Sequence, residues 1–150
     1  MILIKNKQRS IPIDVKNIER MVSAMLTILN YNDFDLGILF TTNATIQKYN
    51  RDFRNKNKPT DILSFPHHTQ LKAGKRIKVV YEDDKNLGDL IIALAYTKKD
   101  AETRWNQTLE QRLPILLAHG IAHLLGHDHE TDDDYKKMAT LERKLLKSIK

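Results

Sequence analysis

Hydrophobic positions recur with a helical period over several stretches of the chain and with a shorter, strand-like rhythm between them. From Asp14 to about Asn30, Val15, Ile18, Val22, Met25 and Leu29 fall three and four residues apart, lining one side of a helix that Asp14 is placed to cap. Met138, Leu141, Leu145 and Ile149 repeat the spacing near the end, after Thr131 and three aspartates that suit the positive pole of a helix. Ile46, Tyr49 and Phe53 predict a short core-facing helix capped by Asn43, with Arg54 emerging at its end. Residues 1 to 5, Leu36 to Thr41, Ile62 to Phe65 and Leu87 to Leu94 read as strands. His67 to Asn86 reads as a long loop or hairpin, or, through Ile77 to Tyr81, as an extra strand at the sheet edge. The expectation is an α+β fold: one domain over residues 1–150, with a mixed sheet of four or five strands against about five helices.

The run from Leu113 to Leu125 is apolar on nearly every face, which predicts a central buried helix, and it carries His119 and His123. On one helix these two lie about 40° apart with roughly 6 Å of rise, so both rings can reach one ion. Pro114 either bends this helix or lies in its first turn, and the possible capping box of Thr108 and Gln111 favours an early start.

His129 would point away from the pair if the helix continued, at roughly 280° from His119. Gly126 is placed to end the helix in a left-handed conformation and return the chain, which would bring His129 back as a third ligand. His127 is the rival ligand, although a continued helix would put it about 12 Å along the axis from His119. Asp128 suits either orienting a ligand histidine through its second ring nitrogen or capping the turn after Gly126. Three imidazoles and a fourth position open to water form the donor set of a catalytic zinc site, one Zn²⁺ per chain, although imidazole also suits nickel, copper and iron.

Composition narrows the chemistry. The chain of 150 residues is 41% hydrophobic and can bury a core. It has no cysteine, which excludes disulfides and thiolate-ligated metal sites. The apolar stretch at the N-terminus is too short for a signal peptide and no window approaches a membrane span, so a cytoplasmic protein without a membrane partner is expected. The formal charge of +6 points toward a polyanion. Its lysines and arginines concentrate at Arg51, Arg54, Lys56 and Lys58, and again at Lys72, Lys75, Arg76 and Lys78, runs that also suit ordinary solvated loops. His67 and His68 are assigned no role.

The run HGIAHLLGHDH resembles the signature of the YbeY family of rRNA maturation endoribonucleases, with its His-Gly-x-x-His-x-x-Gly-x-Asp-His core. NRDFRNKNKPTDILSFP, from Asn50 to Pro66, is similar to that family's Arg-containing segment and the strand it enters, and LGDLII, from Leu87, to its Gly-Asp strand. His127 departs from the family's usual tyrosine and Ala122 from its leucine, and Pro114 interrupts the helix, but no ligand is lost. The resemblance implies single-strand-specific cleavage in ribosomal RNA maturation, a zinc ion, and association with the small ribosomal subunit.

The implied site is His119, His123 and His129 as ligands, with Arg54 and Lys58 binding substrate and Arg54 holding the scissile phosphate through its planar fork. Without the resemblance, Arg54 reads as one half of a surface salt bridge. Water at an open zinc position falls in pKa toward about 7, which makes phosphodiester hydrolysis accessible at neutral pH. Two other readings remain. A metallopeptidase would need a base that Gly120 does not supply, since the HExxH pattern has glutamate there. A non-catalytic RNA-binding assembly factor with a structural metal would need a fourth protein ligand.

Overall fold

Side chains alternate between the two faces of a sheet, and here they make the faces unequal. In a computed structural model covering residues 1–150, the strands are β1 (Ile2–Asn6), β2 (Asp35–Thr41), β3 (Ile62–Pro66) and β4 (Asn86–Ala93). The helices are α1 (Val15–Ile28), α2 (Asn43–Arg54), α3 (Leu94–Arg104), α4 (Leu109–Leu124) and α5 (Asp132–Ser148). Leu36, Ile38, Phe40, Leu90 and Ile92 share the main core with α1, α4 and α5, whereas Leu63, Ile91 and Ala93 meet Ile46 of α2 in a small second cluster. The sheet order is β1-β2-β4-β3, parallel except for β3, which pairs antiparallel with β4 at one edge. The fold is the expected single α+β domain of four strands and five helices. No helix is long and apolar enough to cross a membrane.

The fifth strand does not form. Ile77 is buried and its N–H donates to the Tyr31 hydroxyl at 3.0 Å, while the Arg76 guanidinium donates to the carbonyls of Leu29 and Asn30 and lies 4.2 Å from the Tyr31 ring centroid. Bonds to the end of α1 thus replace strand pairing, and Arg76 is committed to the fold. The long connection otherwise contains a single 3-10 turn at Glu82–Asp84. His68 Nε2 lies 2.7 Å from the Asp84 carbonyl, a contact that ties this loop together.

The helix stripes hold in outline, with two residues outside them. Ile18, Val22, Met25 and Leu29 are buried, but Val15 is exposed in the first turn of α1, and Phe53 is 67% exposed on the last turn of α2. Asn43 is not the cap of α2. Thr42 is, accepting from the Thr45 N–H at 3.3 Å. The Asn43 carboxamide oxygen instead accepts from the Tyr96 N–H at 3.1 Å, satisfying a first-turn donor of α3, whose own cap position is Ala93.

Candidate metal centre

The capping box settles where α4 begins. The Gln111 N–H donates to Thr108 Oγ1 at 3.1 Å and the Thr108 N–H donates to Gln111 Oε1 at 2.9 Å, so the helix starts at Leu109 and Pro114 lies in its second turn. At the other end the Gly126 N–H donates to the His123 carbonyl and the His127 N–H to that of Ala122, with Gly126 at φ 87°. These two bonds define a Schellman closure, and a Cβ at Gly126 would collide with the Leu71 carbonyl oxygen. The chain reverses as the glycine predicts, and His129 returns to the pair.

The candidate ligand nitrogens of His119, His123 and His129 all lie within 4.8 Å of one another. His119 Nε2 and His123 Nε2 are 3.1 Å apart, and the His129 ring centroid is 5.8 Å from that of His119 and 5.5 Å from that of His123. The other ring nitrogens of the α4 pair are engaged. His123 Nδ1 lies 2.9 Å from the His127 carbonyl oxygen, which only accepts, so Nδ1 carries the hydrogen and Nε2 keeps its lone pair. His119 Nδ1 faces Glu142 Oε2 of α5 at 3.4 Å, which favours the same tautomer. Burial, reinforced by the neighbouring His119, holds the His123 imidazole below its ordinary pKa and so favours the neutral form that ligates metals. Three nitrogen donors, two with their reverse sides already bonded, fit a metal ion.

His127 contributes its backbone rather than its ring. Its side chain stands outside the cluster with Nδ1 buried and unpartnered, and burial lowers its pKa. Asp128 caps the turn, accepting from the Glu130 N–H at 3.3 Å, and the histidine-orienting carboxylate is Glu142. Glu142 went unread in the sequence. It falls four residues after Met138 and three before Leu145, both buried, so a carboxylate within a buried stripe was the available signal.

The histidines open onto a cleft of about 540 Å³ between α4, β3 and the loop after Gly126. Arg54, at the end of α2, lines this cleft and its side chain has no hydrogen bond or ion pair, so the surface salt bridge that would explain it otherwise is not formed. Lys58 is exposed on the loop between α2 and β3 and does not line the cleft. Arg112 does line it, and sequence reasoning did not single it out.

Together these features define an α+β protein whose buried helix and return loop assemble three imidazoles able to hold a metal ion at the floor of a cleft. A family model described as Endoribonuclease YbeY matches residues 3–150. Endoribonuclease YbeY of Homo sapiens is 36% identical over 148 residues, 99% of this chain and 87% of that protein. Endoribonuclease YbeY of Caldicellulosiruptor bescii is 35% identical over 154 residues, 99% of this chain and 96% of that protein. A Thermotoga maritima protein solved in solution shares the fold, with a TM-score of 0.63 at 24% identity over 99% of this chain and 89% of that one. The chain belongs to the endoribonuclease YbeY family.

Proposed function

We propose that the protein is a metal-dependent, single-strand-specific endoribonuclease of the cytoplasm, acting on ribosomal RNA in its maturation and quality control, in association with the small ribosomal subunit. The observation that carries the reading is the convergence of three imidazoles in a cleft that also presents an unpaired guanidinium. The endoribonuclease name borne by its relatives supplies the substrate class.

His119, His123 and His129 would hold one zinc ion. The chemistry supplied there when zinc is bound is Lewis acidity toward a phosphoryl oxygen and a pKa for water lowered toward about 7. Glu142 and the His127 carbonyl aim two of the rings by facing their Nδ1 atoms, and imidazole ligands without charge would leave the full positive charge of the ion to face an anionic substrate. Arg54 binds the scissile phosphate with two N–H donors, and Lys58 meets the strand outside the cleft.

A peptidase reading meets a packing obstacle. Gly120 is buried against the sheet, and a Cβ there would lie 2.8 Å from Ile62 Cδ1 and Leu90 Cδ2. A glutamate at this position would have to displace both side chains.

The test incubates zinc-loaded protein, His123→Ala and Arg54→Ala with single-stranded RNA, duplex RNA and casein, alongside metal analysis. About one zinc per chain and cleavage of single-stranded RNA by the parent protein alone support the reading. Equal cleavage by all three proteins refutes the site, and cleavage of casein alone refutes the substrate class.

A further inference from the structure

Arg112 is the second arginine lining the cleft, and nothing in the reading so far uses it. It stands seven residues before His119 on α4, so the helical period puts it on the same face, about 10.5 Å along the axis. Like Arg54 it makes no ion pair or side-chain hydrogen bond, although Glu130, Glu142, Asp128 and Asp61 line the same cleft. Three of those carboxylates are engaged elsewhere: Glu142 with His119, Asp128 with the Glu130 N–H, and Asp61 with the Ile62 N–H at 2.7 Å.

What holds Arg112 is an aromatic ring. Its guanidinium carbon lies 4.3 Å from the ring centroid of Trp105, the residue that ends α3. The turn between the helices sets up the pair, because Asn106 takes a positive φ of 49° and the Gln107 N–H closes back on the Ala101 carbonyl at 2.9 Å. A cation–π contact fixes the position of the guanidinium without using its N–H donors. Arg104, paired with Asp100, lies farther from the same ring, at 5.7 Å from its centroid, and Trp105 remains 46% exposed.

We infer that Arg112 and Trp105 form a nucleotide subsite for single-stranded RNA beside the metal centre, Arg112 taking the phosphate next to the scissile one and Trp105 stacking a base. The inference rests on the endoribonuclease reading and adds a path to it: the strand crosses the cleft from Arg54, past the histidines, toward the start of α4. An exposed aromatic beside an unpaired guanidinium is how sequence-tolerant proteins hold unstacked bases, and a duplex, whose bases stack on each other, cannot use it.

Trp105 is the single tryptophan of the chain, so its emission reports the subsite directly. Zinc-loaded protein is mixed with a short fluorescein-labelled 2′-O-methyl phosphorothioate oligouridylate, which keeps its bases and charges but resists cleavage, and anisotropy and tryptophan emission are read together over a salt series. The expected result is a saturable change in emission with the same midpoint as anisotropy, absent with duplex RNA. Trp105→Ala binds about tenfold more weakly, the scale of one base–aromatic stack. Arg112→Ala loses about 0.7 from the slope of log affinity against log salt, the value of one phosphate on a single strand, and Arg112→Lys keeps that slope. RNA binding that leaves Trp105 emission unchanged, with Arg112→Ala and Trp105→Ala binding like the parent, overturns the subsite and spares the endoribonuclease. An oligonucleotide that gives no anisotropy change at all overturns the endoribonuclease reading, and the subsite with it.

Discussion

His119 and His123 reach the candidate metal position by one route and His129 by another. The first two are set by the period of a helix whose interior is buried from Leu113 to Leu124, and both have a hydrogen-bond partner behind the ring. His129 is exposed, has no such partner, and depends on the reversal at Gly126 and the short segment after it. Two donors are thus preorganised by the core and the third is delivered by a turn. Affinity should depend most on the helix, and the completeness of the site on the turn.

Removing a helical donor should have the largest effect. His123→Ala is expected to reduce zinc content from one per chain to near none and to abolish RNA cleavage, whereas His129→Ala keeps a weak two-imidazole site detectable by chelator competition. Equal losses in the two variants would erase the asymmetry. Gly126→Ala comes next, since it combines a left-handed backbone with a collision at Leu71. It should cost about 1–3 kcal/mol, which calorimetry reads as a fall in Tm of roughly 2–4 °C per kcal/mol. Its zinc affinity should fall although every ligand is present. Glu142→Ala should weaken zinc binding about 10–100-fold through loss of the carboxylate behind His119. An unaltered affinity would show that the helix alone orients the ring.

The smallest expected effect is on pH dependence. His123 and His127 both have pKa values lowered by burial, so the unfolded chain takes up protons near pH 6.5 while the folded protein resists them. Stability of the metal-free protein therefore rises with pH through this window. It is intact above about 6.5 and is lost as the pH falls through the folded values. Thermal melts between pH 7 and pH 5 should show the decline, and His127→Phe should flatten it in part. A melting temperature independent of pH would contradict the burial assigned to both rings.

Legibility followed the range of the interactions. α4, its capping box and the glycine that ends it were readable because each is a pattern within a few residues, and with them came the three histidines. α3 was not, since it begins directly where β4 ends, with Ala93 at its cap position and a buried stripe of Leu94, Thr97 and Ala101 that carries little apolar signal. Its first-turn donor is satisfied by Asn43, more than fifty residues earlier in the chain. Glu142 lies 23 residues from His119, and Arg76 is held by carbonyls 46 and 47 residues away. Only the fold brings such partners together.

The close approach of Gly126 to the Leu71 carbonyl makes the connection between β3 and β4 unequal along its length. Around Leu71 to Ala73 it acts as a wall behind the reversal, so an insertion or a protease cut there should be felt at the third imidazole. Near Val79 to Tyr81, where the side chains face water, the same change should pass almost unnoticed. Part of a stretch that resembles spacer is therefore a buttress of the metal-facing turn, and length variation should collect on its far side.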